Sequence, residues 1–98
     1  PQNQPAIAEA WMNAAENYFT SDQGSAGVAA YHKGLALART HEPYRLASVA
    51  RLAGEHYLRK RELDEAIEAL QVAAAAAETA KSNEDMIQCY RSLARAYR

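Results

Sequence analysis

Apolar and polar positions recur along this chain with the period of an α-helix, in five blocks separated by turn-forming residues. In the first block Ile7, Ala10, Trp11, Ala14, Ala15, Tyr18 and Phe19 return at three- and four-residue steps. They therefore share one broad face of a helix from about Pro5 to Thr20. Pro5 suits the first turn, where a missing N–H costs no hydrogen bond. Ser21-Asp22-Gln23-Gly24-Ser25 supplies a turn and a candidate N-cap. A second helix carries Val28, Tyr31, Leu35 and Ala38 at the same spacing, with Gly27 and Gly34 seven apart inside it. Glycine costs about 1 kcal/mol relative to alanine in a helix interior, so this pair predicts close approach of another backbone.

His41-Glu42-Pro43 marks the next break, because the residue before proline is pushed out of the helical region. A third helix from about Tyr44 to Lys60 and a fourth from about Leu63 to Lys81 follow, with Asp64 and Glu65 complementing the dipole at the start of the fourth. Ala53, Gly54, Ala66 and Ala73 are small where these two helices would touch, and Tyr57, Ile67 and Leu70 fill the space beside them. That is the layout of an αα-hairpin. Ser82-Asn83-Glu84-Asp85 has the form of a capping box, with aspartate in place of the usual glutamate. It opens a fifth helix expected to bury Ile87, Tyr90, Leu93, Ala94 and Tyr97 on one side.

The blocks repeat one another. Tyr18, Tyr57 and Tyr97 are spaced 39 and 40 apart, and three residues before each stands Ala15, Gly54 or Ala94. Ala14, Ala53 and Leu93 come one step earlier, and Trp11, Ala50 and Tyr90 three before those. Nine residues after the first two tyrosines Gly27 and Ala66 hold a small site, followed by Tyr31 and Leu70, then Gly34 and Ala73. On these residues the chain resembles the tetratricopeptide repeat family in its longer form of about forty residues. Trp11, Ala15 and Tyr18 match its first-helix signature best, and Gly54, Tyr57, Ala66, Leu70 and Ala73 its middle hairpin. Arg39 and Glu78 stand where the family often has proline, and Ala50 replaces a large aromatic. A generic antiparallel bundle is the structural alternative.

The resemblance implies an all-α, right-handed superhelix of stacked antiparallel hairpins. One hairpin spans about residues 5–40, a second about 44–81, and a terminal helix about 83–98, or about two and a half repeats in one domain. It also implies a concave surface on the first helices that receives a peptide or a partner helix. Helical geometry then assigns Glu9, Met12, Glu16, Phe19 and Thr20 to that groove from the first helix, and Ser48, Arg51, Glu55, Leu58 and Arg59 from the third. Gln88, Arg91, Arg95 and Arg98 come from the fifth. The surface grades from acidic to basic, which favours a partner segment carrying carboxylate or phosphate. A merely solvated arginine face is the plainer alternative. The family's chaperone-binding members grip a C-terminal carboxylate with Lys, Asn and Arg. Met12, Glu16, Leu52, Gln88 and Ser92 hold the matching places here, which does not support that activity.

Composition narrows the rest. Alanine accounts for 23 of 98 residues, the strongest helix former and consistent with an all-α chain. Eleven Lys and Arg against twelve Asp and Glu give a net charge of −1, so nucleic acid is not the expected partner, although the basic end of the fifth helix leaves phosphate contact as a third possibility. A lone cysteine, Cys89, forms no internal disulfide, and the absence of an apolar run of membrane-spanning length points to an intracellular, cytoplasmic protein without membrane insertion. His32, His41 and His56 are scattered, and Glu55-His56 lacks a second histidine four residues away. No catalytic residue, metal or cofactor is expected. The second functional expectation is self-association through Tyr90, Leu93 and Tyr97, an apolar strip on the last helix. Together these readings describe a non-catalytic interaction module, cut from or embedded in a larger scaffold.

Overall fold

Each break in the pattern ends a helix for its own local reason. In the computed structural model, which describes residues 3–98, α1 is Gln4–Thr20, α2 Gly24–His41, α3 Pro43–Arg59, α4 Leu63–Ala80 and α5 Asn83–Ala96. Asn3 caps α1 by accepting the Ala6 N–H at 3.2 Å. Gln23, rather than a serine of the turn, precedes α2 and makes no side-chain cap bond. Ser21 instead donates its hydroxyl back to the Asn17 carbonyl at 2.6 Å and closes α1. Glu42 serves two helices: its N–H ends α2 on Ala38 O, its carbonyl accepts from Leu46 N, and Pro43 keeps it out of the helical region, at φ −140° and ψ 54°. Ser82 accepts from Asp85 N and donates to the Asp85 carboxylate at 2.9 Å, so the short aspartate reaches the cap hydroxyl.

The two hairpin turns are the same structure written twice. Asp22 and Arg61, 39 residues apart, both adopt left-handed backbone, with φ of 62° and 60°. Gln23 N–H donates to Tyr18 O at 2.7 Å, and Glu62 N–H donates to Tyr57 O at 2.9 Å. This six-to-one closure ends a helix by satisfying an orphan carbonyl.

Burial repeats at the same interval. In α2 the buried residues include Gly27, Ala30, Tyr31, Gly34 and Ala38; in α4 Ala66, Ala69, Leu70, Ala73 and Ala77 follow at 39. A Cβ on Gly54 would lie 2.6 Å from Leu70 Cγ, and one on Gly34 would collide with Trp11 Cβ, so these glycines mark where the helices close on each other.

The fifth helix corrects the expected register. Its buried residues are Cys89, Ser92 and Ala96, each 39 beyond Ala50, Ala53 and Tyr57, whereas Tyr90 and Tyr97, at 40, are 56% and 66% exposed. Ile87 and Ala94 are exposed as well, and Leu93 is half-buried. A one-residue change turns a helix by about 100°, and small side chains let α5 approach α3 and α4 more closely than tyrosines would. Tyr18, Tyr57 and Tyr97 therefore do not share one environment: Tyr57 is half-buried and 3.1 Å from His32 Nε2, while Tyr18 and Tyr97 are exposed.

Neighbouring helices pack pairwise, most extensively α1 on α2 and α3 on α4. The odd-numbered helices also touch, α1 with α3 and α3 with α5, and no comparable contact joins α2 to α4. The described chain extends 45 × 28 × 20 Å, longest by far in one direction.

Candidate functional site

The layer of α1, α3 and α5 holds most of the residues assigned to the groove, and ion pairs stitch it together. Between α1 and α3, Arg45 donates to Asn13 Oδ1 and stands 3.8 Å from both Glu16 and Glu42. Glu16, Tyr44, Arg45, Ser48 and Val49 line a cleft of about 250 Å³ there. Between α3 and α5, Glu55 Oε2 accepts from Arg51 at 3.1 Å and from the Ser92 hydroxyl at 3.3 Å, and Arg95 Nη2 lies 3.7 Å away. Arg95 also donates to Ser92 Oγ at 3.1 Å. Glu16 is thus drawn to Arg45 between α1 and α3, while Arg51 and Arg95 share the one carboxylate of Glu55 between α3 and α5.

Other assignments land elsewhere. Met12 is fully buried with Cε against Gly34, so it belongs to the α1–α2 contact and not to the groove. Phe19 is half-buried; its ring meets Gly27 and tilts toward His56 at 6.3 Å, filling the junction of α1, α2 and α3. Both lie on the face that α1 turns to its hairpin mate, which the count along the helix placed one step too far round. Glu9 is exposed at the rim near His41 and Glu42, and Leu58 is half-buried. Arg59, Gln88, Arg91 and Arg98 are exposed. Among the described residues no carboxylate lies within ion-pair distance of Arg59, Arg91 or Arg98. On the self-association strip Tyr90 and Tyr97 are exposed and Leu93 is half-buried.

Arg45 is the residue the pattern missed. It sits one turn before Ser48 on the same stripe of α3, so extending that stripe by three residues would have found it. A larger cleft of about 400 Å³ opens on the other layer, where α2 and α4 part. Leu46, Val72, Ala75 and Ala76 floor it, and Arg39 and Glu68 stand at its rim.

Burial sets the titration of the reactive groups. It pushes the Cys89 thiol up to about 11 and the Tyr31 hydroxyl up to about 12, and it lowers the His56 imidazole with help from Lys60 and Arg59. Among the described residues no group of three or more His, Cys, Asp or Glu side chains is placed to hold a metal ion, and no helix is long and apolar enough to cross a membrane. Comparison of the chain with protein-family models, curated proteins and solved structures found no match.

Proposed function

We propose that this chain is a non-catalytic protein-interaction module, a right-handed stack of about two and a half tetratricopeptide-like hairpins whose α1, α3 and α5 face receives an acidic peptide or partner helix. The observation that carries this reading is the side-by-side contact of the odd-numbered helices, which α2 and α4 do not match. A layered stack whose inner members touch and whose outer members splay curves toward the inner layer. The repetition of turns and buried positions at 39 residues supports the stack, and the cleft lined by Glu16, Tyr44, Arg45, Ser48 and Val49 supports the groove.

Charge decides which partner suits it. Arg51 and Arg95 already answer Glu55, leaving Arg59, Arg91 and Arg98 as the exposed cations available to a carboxylate or phosphate. Capture of partners on the intact chain, followed by mapping of the bound segment, tests the reading. Reversing Arg59 and Arg91 to glutamate is expected to lower retention of the mapped segment about tenfold with helicity unchanged. Retention equal to that of the parent chain would remove the groove assignment.

A further inference from the structure

The face formed by α1, α3 and α5 reverses its charge from one end to the other. Toward α5, Arg51 and Arg95 share Glu55, and Arg59, Arg91 and Arg98 are exposed beyond them. Where α1 meets α3 the balance is opposite. Arg45 lies between two carboxylates, Glu16 and Glu42, at 3.8 Å from each, too far for a hydrogen bond, and donates to Asn13 Oδ1 instead. Glu9, seven residues before Glu16 and exposed on the same side of α1, adds a third carboxylate. Beside this excess of negative charge opens the cleft of about 250 Å³ lined by Glu16, Tyr44, Arg45, Ser48 and Val49. Pockets for drug-sized ligands run from about 300 to 1,000 Å³, so this one suits a single long side chain. Tyr44, at its wall, is 65% exposed, an aromatic ring that the core does not use.

We propose that this cleft receives an arginine side chain of the partner segment, which therefore lies on the face with its basic residue over α1 and α3 and its acidic residues toward α5. A guanidinium answers both kinds of wall. It is flat enough to stack on the Tyr44 ring, and its fork of N–H donors matches the Glu16 carboxylate. The Ser48 hydroxyl accepts a further hydrogen bond, and Val49 offers apolar surface to the methylene stem. Arg45 does not bar the guest, because it keeps Glu42 and Asn13, and two guanidiniums then face two carboxylates. A carboxylate guest would enter beside Glu16 and Glu42 and add to the repulsion. The inference rests on the groove reading and adds a direction to it. A segment laid the other way would set its arginine among Arg91, Arg95 and Arg98 and its acids against Glu16, so repulsion excludes that orientation.

Titration of N-acetyl-arginine amide into the intact chain, followed by backbone NMR, tests the cleft with no partner in hand. The expected result is saturable shifts at Tyr44, Ser48 and Val49 with a dissociation constant of about 1 mM. N-acetyl-citrulline amide, the neutral isostere, should bind roughly two- to fivefold more weakly, the fold-change of one exposed ion pair. Glu16→Gln should remove that preference, and Tyr44→Ala should weaken both probes. Both side chains reach solvent, so circular dichroism should show unchanged helicity. Absence of saturable shifts at the three residues overturns the site, as does equal binding of the two probes or a preference that survives Glu16→Gln. None of these results touches the groove reading, which turns on Arg59 and Arg91. A mapped partner segment that depends on those two arginines yet is retained equally by the Glu16→Gln and Tyr44→Ala chains overturns the proposed direction alone.

Discussion

Cys89 and Tyr31 show how a residue's surroundings override its type. A thiol and a phenol ordinarily ionise near 9.0 and 10.0, yet burial holds them neutral to about 11 and about 12. In the window between those ordinary and raised values the unfolded chain has already lost protons that the fold retains. The folded state then binds more protons than the unfolded one, and stability falls as pH rises. Urea midpoints measured from pH 8 upward should therefore drop through that window, and Cys89→Ala should flatten the drop between about 9 and 11. At neutral pH the same burial predicts slow reaction of Cys89 with thiol reagents, accelerating only on unfolding.

Between paired helices the governing quantity is separation, and glycine sets it. A Cβ on Gly34 would strike Trp11 Cβ, which is fixed to the α1 backbone and cannot swing aside. Overpacking of that kind costs about 1–3 kcal/mol, against roughly 1 kcal/mol of helix propensity gained by alanine. Gly34→Ala is thus expected to lower the melting temperature by several degrees, or about 4–8 °C per kcal/mol for a domain of this size. Gly24 faces the half-buried His56 ring instead, which can turn outward. Gly24→Ala should consequently destabilise less than Gly34→Ala, and a larger loss at Gly24 would contradict this account of the contacts.

At the scale of the whole molecule, stability is expected to grade along the chain toward α5. The helix α5 is the shortest of the five and is held by α4 and by the Glu55 clasp to α3. Glu55→Ala would leave the Ser92 hydroxyl, only 1% exposed, without its carboxylate partner and leave Arg51 uncompensated. A lost partner for buried polar groups costs about 1–3 kcal/mol. Native-state hydrogen exchange should register that loss first in α5, with α1 and α2 little changed, because α5 packs on α3 and α4 and makes no comparable contact with α1 or α2. Uniform loss of protection across all five helices would instead indicate a single shared core.

Five helices, their ends to within a residue or two, and the 39-residue recurrence in the first four were legible in the sequence. These depend on local chemistry: period 3.6, Pro43 after Glu42, a serine cap at Ser82, and small residues at fixed offsets. Tertiary packing decided which side of α5 turns inward, since choosing between Cys89-Ser92-Ala96 and Tyr90-Tyr97 depends on how near α3 and α4 can come. It likewise assigned Met12 and Phe19 to the hairpin contact and recruited Arg45 to the α1–α3 cleft. A helix in isolation fixes which side chains share a face. Only its neighbours fix which face is covered, because burial belongs to pairs of surfaces.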